Sequence, residues 1–253
     1  MNLVYNLLDL IFMNNNEDEI FKNIKKKKKK VIFDVGSFRG KFTEKILKID
    51  DNRISTKFYL FDPNPNGLNY IKKLKKKYKN VQYNCIGLDD KIKKKTFYLN
   101  RFFEASGSSF QTILKEDKLW NFSRRKVLDI LNIFNKEKLK DYKEIKIKTN
   151  TIDNFCAKKK IKKIDLLKID TEGHEEFILK GTLRLLKNNN INVIYVEILS
   201  QKKNYKLKRK KICKFLKKFN FKFLCEYPIR SVSILSNLRS SDLLFVNKNY
   251  KCE

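Results

Sequence analysis

The residues of this chain best suited to chemistry are glycines and carboxylates that directly follow short apolar segments. Asp34, Gly36, Ser37 and Gly40 follow the first such segment, Val31–Val35. Because glycine has no Cβ, it allows a positive φ and a close approach of the backbone to a ligand. In an open α/β sheet, ligands bind outside the carboxyl ends of the strands, where such a turn lies. We therefore predict a ligand-binding loop over residues 34–40.

Asp62 and Asn64 lie at the end of a second apolar segment, in the sequence Phe-Asp-Pro-Asn-Pro. A carboxylate at the end of the second strand is placed to accept hydrogen bonds from ribose hydroxyls. The alternative is that Asp62 caps the next helix. Because the glycine loop precedes it, we favour the ribose interpretation.

A third apolar segment ends in Gly87, Leu88 and Asp89. Gly87 and Leu88 are predicted to line an adenine ring by backbone and apolar contact, and Asp89 to accept from its amino group. An ordinary surface turn is the alternative for these residues.

Asp170, Glu172 and His174 follow a later apolar segment, and Glu197 lies in the next one. Carboxylates at a strand end can position an acceptor group or remove its proton, and the unperturbed pKa of histidine suits the same role. The alternatives are helix capping by the carboxylates and a solvent-facing position for His174. The Asp-x-Glu-x-His spacing could also hold a divalent cation, but it is too common at a sheet edge for us to predict a metal site.

Two other nucleotide-binding loops fit this sequence less well. A dinucleotide loop, Gly-x-Gly-x-x-Gly, would need glycine where Phe38 and Lys41 stand. A phosphate loop needs four residues between its glycines, followed by Lys and then Ser or Thr. Three residues separate Gly36 from Gly40, and Phe42 follows Lys41.

Short apolar segments alternate with longer stretches of 3.6-residue period, which predicts a parallel sheet with crossover helices. No helical stretch separates the last two strands, so we predict that they form an antiparallel pair. The fold expected is α/β and Rossmann-like, with seven mostly parallel strands, one extra strand at 96–100, and helices on both faces. The predicted strands are 31–35, 58–62, 81–86, 96–100, 164–170, 192–199, 221–227 and 242–246, and the predicted helices are 41–49, 65–78, 118–139, 175–187 and 207–219.

The length of the chain predicts its domain organisation, and its cysteines indicate the cellular compartment. A chain of 253 residues suffices for one α/β domain. We place that domain at 31–248, after an N-terminal amphipathic helix and Lys-rich linker at 1–30, with an insertion at about 96–143. The five cysteines have neither disulfide nor zinc spacing, which favours a reducing, cytoplasmic location. The sequence contains no run of 18 apolar residues, so it predicts no membrane span.

The formal net charge of +31 is compatible with binding to nucleic acid. However, Lys outnumbers Arg by 50 to 9, and the chain has 27 Asn but only 2 Ala, as AT-rich codon usage would produce. Phosphate contacts would favour Arg, whose planar fork binds phosphate in a bidentate manner. We prefer the compositional explanation and keep an RNA or DNA substrate, or a nucleic-acid-binding protein, as the alternative.

Taken together, these segments resemble the FkbM-type methyltransferases. The Lys-Ile-Asp-x-Glu-Gly-x-Glu block is the most specific part of the resemblance. Phe38 departs from the polar residue common at its position, and Asp62 stands where Glu is frequent. The matching residues, which span about 31–200, are Asp34-Val35-Gly36 with Gly40, Asp62-Pro63-Asn64-Pro65, Ser106-Gly107-Ser108-Ser109, Thr151-Ile152-Asp153, Lys168-Ile169-Asp170 with Glu172-Gly173, and Val196-Glu197.

The resemblance implies a Rossmann-like enzyme that uses S-adenosylmethionine, usually to methylate a hydroxyl on a sugar or another small metabolite. The terminal antiparallel pair also fits the methyltransferase variant of the sheet. Asp34 would either fix the loop or accept from the methionine amino group, and the loop 106–109 would either close over substrate or be an ordinary turn. The residues expected to bind the cofactor are Asp34, Gly36, Ser37, Gly40, Asp62, Asn64, Gly87, Leu88 and Asp89, and those expected to be catalytic are Asp170, Glu172, His174 and Glu197.

Overall fold

The computed structural model describes residue 24 and residues 27–100, 142–230 and 238–250. Among these residues, no helix combines the length and apolar character needed to cross a bilayer. The strands are β1 (Val31–Val35), β2 (Lys57–Phe61), β3 (Val81–Asn84), β4 (Gly87–Leu88), β5 (Lys94–Asn100), β6 (Tyr142–Asn150), β7 (Ile164–Ile169), β8 (Ile191–Gln201), β9 (Phe221–Arg230) and β10 (Leu238–Asn247). The helices are α1 (Lys41–Ile49), α2 (Leu68–Lys77), α3 (Ile152–Lys158), α4 (Glu175–Lys180), α5 (Leu183–Lys187) and α6 (Lys202–Lys217), and a 3₁₀ turn (Pro65–Gly67) precedes α2.

Seven strands form the main sheet, in the order β3-β2-β1-β7-β8-β10-β9. The first five strands of that order run parallel, and β10 is antiparallel to both β8 and β9. β7 is buried along its whole length, because the sheet is covered on both faces. Strands in this position are typically continuous apolar runs. This architecture confirms the predicted Rossmann-like sheet and its antiparallel terminal pair.

Two apolar cores cover the two faces of the sheet. On one face, α1 and α2 bury Ile46, Leu47 and Ile71. On the other face, α3 to α6 pack against the sheet, with Ile178 and Leu216 in the core. Because the parallel strands all point one way, the loops after β1, β2 and β7 and the carboxyl end of β8 lie at one edge of the sheet. We call this edge the crest.

The element boundaries follow the sequence pattern except where tertiary contacts intervene. β1 and α1 begin and end at the predicted residues. The single helix predicted at 175–187 is instead two helices, α4 and α5, with Gly181 between them. A Cβ at Gly181 would overlap the carbonyl oxygen of Asp89, so another segment packs directly onto this break.

A smaller sheet of three strands, in the order β4-β6-β5, was not predicted as such. β5 extends the predicted strand at 96–100. β6 was missed because lysines interrupt its apolar pattern, and α3 because it is only 7 residues long. β5 and β6 pair antiparallel and flank the predicted insertion. The helix predicted at 118–139, the loop 106–109 and the N-terminal helix lie outside the described residues, and the predicted domain boundaries remain a prediction.

Candidate active site

The glycine loop is held between β2 and β7 at the crest. Gly36 and Gly40 have φ angles of +77° and +74°. The backbone N–H groups of Gly36 and Ser37 both donate to the carbonyl oxygen of Phe61, at 2.9 and 3.2 Å. A Cβ at Gly36 would overlap the carbonyl oxygen of Asp170, so only glycine fits this close approach. The loop is therefore fixed by backbone contacts with both neighbouring strands.

Asp62 anchors the same loop from the end of β2. Its carboxylate accepts from the N–H of Phe38 at 2.7 Å and from the N–H of Asn64 at 2.8 Å. Burial raises the pKa of Asp62 to about 6. Since each carboxylate oxygen has two lone pairs, each retains one for a ligand. The side chain of Asn64 accepts from the N–H of Asn66, so the helix-capping role falls to Asn64.

Asp34 lies behind the loop with no exposed surface. Its Oδ2 accepts from the hydroxyl of Thr43 at 2.7 Å, and its Oδ1 lies 3.3 Å from the Nζ of Lys168. These contacts join β1 to α1 and β7. They are the contacts expected if Asp34 fixes the loop, which was one of its two predicted roles.

Lys168 connects the loop to the carboxylates that follow β7. Its Nζ lies 3.3 Å from Asp34 Oδ1, 3.2 Å from Asp170 Oδ2 and 3.3 Å from the carbonyl oxygen of Gly36. Burial opposes its charge, but Asp170 and Asp34 outweigh that effect and raise the pKa of Lys168 above its usual value. The sequence reasoning missed this residue, although a lysine inside an apolar, buried strand was a signal for it.

Four carboxylates meet on the other side of Lys168, and we call Asp170, Glu172, Glu197 and Asp242 the carboxylate cluster. Asp242 lies directly opposite Glu197 in the pairing of β10 with β8. The pKa of Glu197 is raised well above its usual value by burial, then by Asp170, to which it is hydrogen-bonded, and by Glu172 and Asp242. Folding therefore favours the protonated form of Glu197. The structure thus brings together three of the four residues predicted to be catalytic.

Two polar side chains support this cluster from neighbouring positions. The hydroxyl of Ser240 donates to Glu197 Oε1 at 2.7 Å, and the phenol of Tyr195 donates to Asp242 Oδ2 at 2.6 Å. Sequence reasoning missed Asp242, Ser240 and Tyr195, because no local motif marks them. Among the described residues, no group of three or more His, Cys, Asp or Glu side chains has the geometry of a metal site.

His174, the fourth residue predicted to be catalytic, lies beside Asp89. Its Nε2 is 3.1 Å from Asp89 Oδ1, and its ring stacks on Phe177 with centroids 4.7 Å apart. Burial, and then Lys95, lower the pKa of His174 to about 4, so the ring is neutral at pH 7. The solvent-facing alternative is wrong, because His174 is fully buried.

The segment predicted to contact adenine packs against the smaller sheet. Gly87 and Leu88 form β4, which pairs with Thr149 and Asn150 of β6. The side chain of Leu88 belongs to the core. Burial alone would raise the pKa of Asp89, but the N–H of Asp90, His174 and Lys95 together lower it to about 2.

The Thr-Ile-Asp segment before α3 has a capping role. The hydroxyl of Thr151 accepts from the N–H of Asn154 and caps α3. The carboxylate of Asp153 accepts from the N–H groups of Arg184 and Leu185 at 2.7 and 3.1 Å, and so caps α5. This short segment therefore caps the N-termini of two helices, α3 and α5.

Comparisons with known proteins agree with this description. Residues 34–223 match the family described as the methyltransferase FkbM domain. No curated protein matches the chain. Among solved structures, the chain is similar to Mycoplasma capricolum TrmK in complex with S-adenosyl-homocysteine, with 13% identity over 94% of this chain and 70% of that one and a TM-score of 0.40.

Two further solved structures show the same level of similarity. A SAM-dependent methyltransferase from Aquifex aeolicus has 13% identity over 94% of this chain and 93% of that one, with a TM-score of 0.44. The N-methyltransferase NodS from Bradyrhizobium japonicum, in complex with S-adenosyl-homocysteine, has 6% identity over 92% and 86% of the two chains, with a TM-score of 0.45.

Proposed function

This chain belongs to the FkbM methyltransferase family and is an S-adenosylmethionine-dependent methyltransferase, and we propose that it methylates a hydroxyl on a sugar or another small metabolite. S-adenosylmethionine, when bound, supplies a methyl group on a sulfonium centre. The protein has to hold the acceptor hydroxyl in line with that centre and remove one proton. The proposal concerns which of its residues perform these tasks.

The glycine loop fits the proposed cofactor site. The positive φ angles of Gly36 and Gly40 set the shape of the loop, and both glycines are packed against protein, Gly36 against the Asp170 carbonyl and Gly40 against Ile71 and Leu74. Asp62 retains lone pairs for ribose hydroxyls. The Oγ of Ser37 is buried and has no hydrogen-bond partner among the described residues, so it is available to a polar group of the cofactor. Asn64 shapes the turn beside Asp62.

Asp34 and the β4 segment are proposed to support this site rather than to form its surface. Asp34 is fully buried behind the loop, where it holds Thr43 and Lys168. Asp89 is also fully buried, and its carboxylate accepts from the N–H of Asp90 and from Lys95. Gly87 and Leu88, which pair with β6, hold the backbone that leads into Asp89 and so position its carboxylate.

Asp170 is the proposed base, and its position carries the proposal. Its carbonyl oxygen packs against Gly36, so the same residue touches the cofactor loop and presents a carboxylate to the acceptor side. That side chain is 41% exposed and so accessible, and its Oδ2 lies 3.2 Å from the Nζ of Lys168. Glu197, whose pKa is raised by burial, is hydrogen-bonded to Asp170, and this pair can take up a proton from the acceptor hydroxyl.

The other predicted catalytic residues are given positioning roles. Glu172 has a φ of 54°, unusual for a residue other than glycine, and lies near Glu197 at the open side of the cluster. There it can orient an acceptor hydroxyl. His174 is neutral, buried and directed at Asp89, so we assign it to the support of the loop after β7.

The charge of the cluster favours a small hydroxylated acceptor over a nucleic acid. Four carboxylates surround the proposed acceptor position, and Lys168 contacts one of them, Asp170. A phosphate backbone brought to this position would meet like charge. The chain as a whole has a high positive net charge, but the groups around the proposed acceptor position are carboxylates.

The test uses cofactor labelled in its methyl group and an extract separated into small metabolites, glycans and RNA. Wild type is compared with Asp170→Ala and with Glu44→Ala, a control that removes an exposed carboxylate on α1. We expect wild type and the control to place label in a small-molecule or glycan fraction, in a form stable to mild alkali, as a methyl ether is. Label in the RNA fraction, or alkali-labile label typical of a methyl ester, would contradict the proposal.

A further inference from the structure

A cavity of about 500 Å³ lies between α6 and the two antiparallel strands, on the sheet face opposite the carboxylate cluster. The two faces are distinguished by alternate residues of β10. Ser240 contacts Glu197 in the cluster, whereas Ser241 contacts Tyr205 of α6 on the cavity side. The cavity lining includes Lys206, Arg209, Lys210, Arg239, Tyr205 and Glu226.

Positive charge dominates this lining, with four cations against one carboxylate. The carboxylate, Glu226, is already engaged, because it accepts from the phenol of Tyr205 at 2.6 Å and from the Nε of Arg209 at 2.7 Å. These two contacts help to lower the pKa of Glu226, although burial opposes them. Its charge is therefore balanced by Arg209, and Lys206, Lys210 and Arg239 set the sign of the cavity.

Arg239 is arranged to receive an anion. Its guanidinium lies over the ring of Tyr205, 4.5 Å from the ring centroid, and this ring is in turn fixed by Glu226 and Ser241. The Nε of Arg239 is buried and has no hydrogen-bond partner among the described residues. A buried donor without an acceptor is costly, and an anionic ligand in the cavity would provide that acceptor.

The use of arginine here stands out against the composition of the chain. Only 9 arginines accompany 50 lysines, yet two of them, Arg209 and Arg239, line this one cavity. Arginine differs from lysine in its planar fork, which matches the oxygens of a phosphate. The volume lies within the range typical of small-ligand sites.

We propose that this cavity is a binding site for a small molecule that carries a phosphate monoester. Arg239 supplies the fork, Lys206 and Lys210 supply further charge, and Tyr205 holds the guanidinium in place. The site is separate from the proposed methyl-acceptor position, because α6 covers the other face of the sheet. It does not depend on the identity of the methyl acceptor.

The test is calorimetric titration of the full chain with glycerol 3-phosphate and with inorganic phosphate, and glycerol serves as the uncharged control. Arg239→Gln and Lys210→Gln are compared with Lys202→Gln and Lys203→Gln, which remove the same charge from exposed positions of α6 outside the cavity. We expect saturable binding of both phosphates that weakens at least tenfold in the first two variants and less than twofold in the last two. Arg239→Lys, which keeps the charge but loses the fork, should fall between.

Several results would overturn the proposal. Equal weakening in all four glutamine variants would show that only the overall charge attracts phosphate. Absence of saturable binding in wild type would show that the cavity is not a phosphate site. Tighter binding of a short single-stranded RNA, lost equally in the control variants and steeply dependent on salt, would instead identify a non-specific nucleic-acid surface. Far-ultraviolet circular dichroism and S-adenosylhomocysteine binding by each variant establish that the fold is retained.

Discussion

The two sides of the crest are built from different groups. On the β1–β2 side, glycines, backbone N–H groups and one carboxylate, Asp62, form the loop around the proposed cofactor site. On the β7–β8–β10 side, three carboxylates lie close enough to a fourth, Glu197, to help raise its pKa. Lys168 contacts both sides, through Asp34 and Asp170.

Under the proposed function, this difference lets one edge of the sheet serve two chemical tasks. The cofactor side requires a backbone of fixed shape, and its parts lie within about 30 residues of one another. The acceptor side requires a proton acceptor, and its pKa values arise from residues that are far apart in sequence. The contrast predicts that substitutions on the two sides have separable effects, except at Lys168.

The largest effect is expected for Lys168→Met, which removes the cation shared by both sides. Asp34 and Asp170 would then lack their buried partner, and breaking a buried ion pair in this way costs about 3–5 kcal/mol. We expect that loss in the free energy of unfolding measured with urea, together with loss of both cofactor binding and methyl transfer. Lys48→Met removes an exposed pair with Glu44 and should cost less than about 1 kcal/mol. If Lys168→Met impaired only one of the two functions, the two sides would not be coupled through this residue.

Asp170→Asn should separate the two sides. We expect kcat to fall about 10²-fold, at the lower end of the range for loss of a general base. Loss of the Asp170 charge lowers the pKa of Glu197, which can then act as a partial substitute. The Kd for S-adenosylhomocysteine should stay within twofold of wild type, since the Asp170 carbonyl that contacts the loop is unchanged. Steady-state kinetics and calorimetry measure these two quantities. An equal loss of cofactor affinity would place Asp170 in the cofactor site instead.

Asp62→Ala should have the reverse pattern, with a smaller effect. It removes the acceptor for the N–H groups of Phe38 and Asn64 and the proposed acceptor for ribose. Hydrogen bonds to a charged group contribute about 1.5–3 kcal/mol, so we expect the Kd for S-adenosylhomocysteine to rise roughly tenfold or more in calorimetry. Asp62→Asn keeps one acceptor oxygen and should lose less. Unchanged affinity in the alanine variant would remove the ribose role of Asp62.

The smallest effect is a pH-dependent gain in stability from Glu197→Gln. The pKa of Glu197 is raised in the folded state, so its contribution to stability is complete below the unfolded pKa and is lost as pH rises towards the folded one. Glutamine does not ionise. The variant should therefore match wild type at pH 4 and exceed it by about 1 kcal/mol or more at pH 8, since one unit of pKa corresponds to about 1.4 kcal/mol.

Thermal unfolding at several pH values measures this gain, and Glu226→Gln provides a control of opposite sign. The pKa of Glu226 is lowered in the folded state, so its contribution is present at high pH and is lost on acidification. Glu226→Gln should thus be less stable than wild type at pH 8 and approach it at pH 4. A pH-independent difference for Glu197→Gln would show that folding leaves the pKa of Glu197 unchanged.

The amino-acid sequence by itself determined the loop, the order of the principal elements and the family. Val31–Val35 and Lys41–Ile49 were predicted from periodicity. A buried face requires apolar residues that recur every two to four positions along the chain. Gly36 and Gly40 were identifiable because positive φ is a local demand that few other residues meet. Asp170, Glu172 and Glu197 could be chosen as candidates, since each lies in or directly after a strand that the pattern predicts.

Tertiary structure alone decided the partners and protonation of these groups. Asp242 joins Glu197 through the pairing of β10 with β8, and His174 lies beside Asp89, 85 positions earlier in the chain. A raised or lowered pKa depends on burial and on charges within a few ångströms. A local sequence pattern predicts neither of them. The break at Gly181 and the cavity beneath α6 have the same origin, because both arise where segments distant in sequence pack against each other.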